Sequence, residues 1–214
     1  MGKIKAFVIL GLCFCAVVSY GADKTTGVSI DKSKTALVVI DLQKGVAGMT
    51  AAPYTAAAVI KNAEALADKF RKDNMSVFLV HVNMSMDGRD KLNPNADIQW
   101  PAGNLPADWA DIVPEMGPKL NDIVITKRQW GAFYGTELDL ELRRRGITTI
   151  VLCGIATNIG VESTARDAYE YGYSQVFAED AMSAGSAEEH VFPVTKTFPR
   201  LGLVRKTADI LAGL

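Results

Sequence analysis

Thr149-Ile-Val-Leu-Cys153-Gly-Ile-Ala-Thr-Asn-Ile-Gly160-Val-Glu-Ser-Thr-Ala-Arg-Asp-Ala-Tyr-Glu-Tyr-Gly-Tyr173 is the stretch that decides the fold. It starts as an apolar run, crosses a turn rich in Gly and Asn, and continues at helical spacing until Gly172. A strand that feeds a helix in this way aims backbone N–H groups at a pocket above a sheet.

Outward from that stretch, the same alternation repeats. Apolar runs at 35–40, 76–82, 123–126, 149–153, 176–178 and 203–205 read as strands. Residues 53–73 carry Ala58, Val59, Ala63, Leu66 and Phe70 at helical spacing, and Asn74 ends that helix. Further helices are expected at 138–145, 159–171, 187–198 (despite Pro193) and at the C-terminus. Strands alternating with helices predict an α/β fold, a Rossmann-like parallel sheet with helices on both faces. One domain over 35–214 follows, with 22–34 as a loose lead-in. The polar stretch 83–121 lacks periodicity and reads as a lid, a binding loop or an oligomer contact.

Composition excludes some partners. The 214 residues have a net charge of -1, and Arg143-Arg144-Arg145 closes a helix before Gly146, so no nucleic-acid partner is expected. Lys3 and Lys5 precede an apolar run at 6–18 and the small residues Ser19 and Gly21. Residues 1–21 therefore read as a signal peptide cleaved after Gly21, with export to a periplasm or beyond and no membrane attachment afterwards. An uncleaved anchor is the rival reading, although the run is short for a span of about 20 residues. Cleavage would remove Cys13 and Cys15 and leave Cys153, which sits inside an apolar strand as a core residue.

In a parallel α/β sheet ligands bind beyond the carboxyl ends of the strands. Asp41 ends the first strand, Lys127 follows the third, and the turn holding Gly160 follows the fourth. Burial should raise the pKa of Asp41 and a nearby cation should lower it, the setting of a general acid or base. The competing reading is a carboxylate that caps backbone amides. Lys127 could orient that carboxylate or stabilise negative charge, or remain a surface lysine. His81 and Asn83 end the second strand on one side and could face the pocket, with a structural histidine as the alternative for His81. Trp130 and Phe133 offer an apolar wall or core packing. Tyr169 and Tyr173 read as helix-face residues, and Arg166-Asp167 as a structural pair.

The segments Ala36-Leu-Val-Val-Ile-Asp-Leu-Gln43, Thr126-Lys-Arg-Gln-Trp-Gly-Ala-Phe133, Gly154 to Gly172 and Ala178-Glu-Asp-Ala181 resemble the signature blocks of the isochorismatase-like cysteine hydrolases. The resemblance implies an assembly that is dimeric or larger, acting on a small-molecule substrate through an Asp–Lys–Cys triad. Asp41 and Lys127 match the first two members, and Gly160 stands where the nucleophilic cysteine is usual. It further implies that amides around Ile155, Ala156, Thr157 and Asn158 hold a substrate oxygen, and that the Ile155–Ala156 bond is cis. Cysteine members hydrolyse amides through a thioester. True isochorismatases can do without the thiol, their aspartate protonating an enol-ether carbon. His81 and His190 are the only histidines and no Asp-x-His metal motif is present, so neither metal nor cofactor is expected. The resulting expectation is a hydrolase without a thiol nucleophile, or a binding protein that has lost one.

Overall fold

The computed structural model describes residues 27–98 and 105–214. The segment 1–21 expected as a signal, the first part of the lead-in and Trp100 lie outside the described residues. Among the described residues no helix is long and apolar enough to cross a membrane.

Six parallel strands among the described residues form one sheet in the order β3-β2-β1-β4-β5-β6. They are β1 Thr35–Ile40, β2 Val77–Val82, β3 Ile123–Lys127, β4 Thr149–Ile155, β5 Ser174–Ser183 and β6 Leu203–Arg205. The chain runs outward from β1 to β3, returns to the centre at β4 and runs outward on the other side. The direction reverses between β1 and β4, which is where a doubly wound sheet opens a crevice. Thr35 to Ile40 are buried throughout, as a central strand covered on both faces requires.

Seven helices are described, in chain order: α1 Lys44–Ala47, α2 Ala56–Lys72, α3 Leu138–Arg144, α4 Glu162–Glu170, α5 Ala187–Phe192, α6 Phe198–Leu201 and α7 Thr207–Ala212. Side-chain alternation along the strands divides the core in two. Leu37, Val39, Val77 and Leu79 pack beneath α2 and α7. Val38, Ile40, Phe78 and Ile125 pack beneath α3, α4 and α6 on the other face. Burying one aliphatic side chain contributes about 1.5–3 kcal/mol, so these two layers carry the fold.

Local chemistry sets the element ends. Thr55 begins α2 by accepting the Ala58 amide at 3.2 Å, and the helix therefore starts after Pro53 rather than at it. Gly146 ends the α3 region with φ +67. Gly154 lies opposite Ile40 across the β1–β4 ladder with φ +124. A Cβ there would sit 2.0 Å from the Ile40 carbonyl, so only glycine lets the two central strands meet.

Several expectations need correcting. Strand β5 runs to Ser183, well past the expected 176–178, because Glu179 and Asp180 find partners on neighbouring elements and need not leave the sheet. The helix expected at 159–171 opens with a π-helical turn, Thr157–Val161, before α4. The helix expected at 187–198 is interrupted by a second such turn, Pro193–Thr197, because proline has no N–H to donate. Arg166 pairs with Glu162 at 2.7 Å and not with Asp167, since adjacent helical residues point about 100° apart. Tyr173 lies beyond α4, buried, with its hydroxyl on Asp139.

Candidate active site

Asp41 follows β1, and strict alternation would send its side chain toward α2. Its φ of +52 breaks that alternation. The carboxylate instead meets Lys127 at the end of β3, and the Lys127 Nζ to Asp41 Oδ2 distance is 2.7 Å. Both groups are buried, at 6% and 1% exposure. A non-glycine residue in the left-handed region is uncommon and frequent at functional sites.

Lys127 is fully committed. Besides Asp41 it donates to the carbonyls of Gln129 at 3.1 Å and Trp130 at 2.8 Å, and an ammonium has three hydrogens. It therefore holds and polarises Asp41 rather than reaching for a ligand. Burial lifts the Asp41 carboxyl to about 6, against the downward pull of Lys127. Asp41 Oδ1 is buried and has no hydrogen-bond partner among the described residues. One oxygen of the carboxylate is held by Lys127 and the other is left without a hydrogen-bond partner among the described residues.

Gly160 completes the cluster. A Cβ at this position would lie 3.0 Å from Asp41 Oδ2, 3.0 Å from Ile40 Cγ2 and 3.5 Å from Lys127 Nζ. The glycine thus faces the ion pair, and any side chain placed there would point at it. The Ile155–Ala156 bond just before this turn is cis. Within the turn the amides of Ile159 and Val161 both donate to the Ala156 carbonyl at 3.2 Å. Asn158 Oδ1 is a second buried oxygen without a partner among the described residues. Thr157 is fully buried and bonds His190 Nδ1 at 2.8 Å.

The remaining expected residues are not all drawn into this cluster. His81 uses both ring nitrogens, on the Ala110 carbonyl at 2.7 Å and Thr126 Oγ1 at 2.8 Å. Asn83 accepts the Met84 amide at 2.8 Å and serves the loop after β2. Trp130 is 57% exposed and reaches the site through its carbonyl. Phe133 packs in the core, 5.3 Å from the Tyr171 ring and 5.8 Å from the Tyr173 ring. Ile155 is buried in the layer beneath α2. Cys153 is buried in that layer too, and desolvation pushes its thiol up to about 12.

Sequence reading missed Gln43. It is fully buried and bridges the backbone of Val82 and Trp109, accepting from the Val82 amide at 2.8 Å and donating to both carbonyls. Lys44 and Gly45 add backbone bonds to Asp111 and Trp109. These contacts strap the stretch after residue 105 across the carboxyl ends of β1 and β2. The available signal was a glutamine placed two residues after Asp41, at the end of a buried strand. Among the described residues no group of three metal-ligating side chains is assembled. A hollow of 390 Å³ lies at the other end of the sheet, lined by Val28, Thr35, Thr149 and Gln175, and contains none of the groups described above.

A doubly wound parallel sheet with a buried Asp–Lys pair at its switch point makes this an α/β protein with its candidate site where such sheets bind ligands. Residues 35–209 match the model of the isochorismatase domain, and the chain belongs to the isochorismatase family. It is 54% identical to the isochorismatase family protein YwoC of Bacillus subtilis, over 86% of this chain and 95% of that one. An isochorismatase family protein from Burkholderia thailandensis superposes with a TM-score of 0.84 at 43% identity, covering 88% of this chain and 99% of its own. A shorter match, 46% over 37% of this chain and 33% of the relative, is to the ureidoacrylate amidohydrolase RutB of Acinetobacter baylyi.

Proposed function

We propose that this protein hydrolyses a small organic acid, amide or enol ether with the Asp41–Lys127 pair and without a thiol nucleophile. The observation that carries the reading is Asp41 Oδ1, a buried carboxylate oxygen with no partner among the described residues, on a group whose other oxygen Lys127 holds. A carboxyl raised to about 6 can exist in both protonation states near neutrality, as a general acid or base requires. Oδ1 exchanges the proton with the substrate or with attacking water, and Lys127 returns the carboxylate to its resting geometry. The amides of Thr157, Asn158 and Gly160 stabilise the developing oxyanion. RutB, an amidohydrolase, supports amides and ureides as substrates worth testing first. The apolar N-terminal run supports an exported enzyme processed after Gly21, and the family resemblance supports a homo-oligomer.

Gly160 favours a second reading, in which the fold binds a small molecule without turning it over. Purified protein assayed against isochorismate, small amides, ureides and enol ethers, beside Asp41→Asn, separates the two. Turnover lost in Asp41→Asn by at least about a hundredfold supports the hydrolase. Equal background rates in both proteins, with ligand binding retained, would leave only the binder.

A further inference from the structure

A second polar chain, in which Thr157 and His190 are buried, reaches the Gly160 turn through Thr157. Glu179 lies on β5, where burial pushes its carboxyl up but hydrogen bonds from His190, Lys206 and Tyr54 outweigh that and hold it at about 2. Its Oε1 accepts the Tyr54 hydroxyl at 2.9 Å and lies 3.4 Å from His190 Nε2, while Oε2 is paired with Lys206. The His190 ring stands edge-on to Tyr54 at 5.7 Å and is 1% exposed. A carboxylate only accepts, so Nε2 carries its hydrogen toward Glu179 and Nδ1 faces the Thr157 hydroxyl. Thr157 opens the π-helical turn three residues before Gly160.

Burying the His190 imidazole against the half-buried Glu179 carboxylate carries a desolvation cost, which a partnered network offsets in exchange for one defined geometry. Here the geometry so defined is that of the turn, because α5 grips its first residue. We propose that Glu179 and His190 are positioning residues that, through Thr157, set Gly160 and the neighbouring amides against the Asp41 carboxylate. The proposal rests on the Asp41–Lys127 pair being the active site.

Gly160→Cys supplies a reporter for the test. Its Cβ would lie 3.5 Å from Lys127 Nζ, so the introduced thiol reads the turn's distance from the pair. Iodoacetamide labelling followed peptide by peptide separates that thiol from the buried Cys153. In this background Thr157→Val, His190→Gln and Glu179→Gln should each move the pH midpoint of labelling at the introduced thiol by about half a unit or more, and Thr157→Ser should restore it. Labelling of Cys153 should stay slow throughout. An unmoved midpoint in all three variants overturns the proposal, as does a rise in Cys153 labelling that keeps pace with the shift, which would mean general loosening. Lys127→Met in the same background tests the underlying reading separately: a midpoint indifferent to Lys127 removes the pair as the site, whatever the Thr157 series shows. If Gly160→Cys does not fold, the Gly160 amide in ¹⁵N–¹H spectra of the unmodified background decides. It should move in Thr157→Val and hold in Thr157→Ser; movement in both, or in neither, overturns the proposal.

Discussion

Lys127 and Asp41 depend on each other because each is charged and out of water. Removing one partner of a buried pair typically destabilises by about 3–5 kcal/mol, since the survivor is left uncompensated. Lys127→Met should therefore lose about that much in urea unfolding, and Asp41→Asn with Lys127→Met should regain most of it. The carboxyl also sets a pH dependence. Its folded value, about 6, lies above the ordinary 3.8, so the folded state binds the proton more tightly. Stability from this group is full below about pH 4 and falls as the pH rises to about 6, then stays level. Wild-type unfolding free energy should show that fall and Asp41→Asn should not. Activity by an acid mechanism would decline through the same pH, and a rise there would instead make Oδ1 the base.

The elements around the cluster tolerate little change where backbones touch. Gly154→Ala would place a methyl 2.0 Å from the Ile40 carbonyl at a φ of +124. The β1–β4 ladder would have to part, at a cost of at least about 3 kcal/mol, which thermal unfolding would register. Thr55→Ala removes only the cap of α2 and should lose about 1 kcal/mol. The contrast tests whether the central crossing, rather than the peripheral helix, limits the site's stability. Equal losses would place that limit elsewhere.

At the scale of the whole molecule, both faces of the sheet are covered and Cys153 lies in the layer beneath α2 with its thiol raised to about 12. Iodoacetamide should label it only as fast as the domain opens, and guanidinium unfolding should bring labelling to the rate of a free thiol. Rapid labelling of the folded protein would contradict the layered core described above.

Sequence alone determined the alternation of strands and helices, the family blocks, and which three strand ends carry Asp41, Lys127 and Gly160. These are local matters of periodicity and punctuation, written residue by residue. It could not say that Lys127 has every donor occupied, or that Gln43 straps the loop. Nor could it extend β5 through two acidic residues, because their partners Lys206, Tyr54 and Thr207 lie up to 125 positions away. Only the tertiary structure decided that Phe133 belongs to the core while Trp130 lends the site a carbonyl. Burial and pairing are properties of space, and a chain position acquires them only when distant segments close around it.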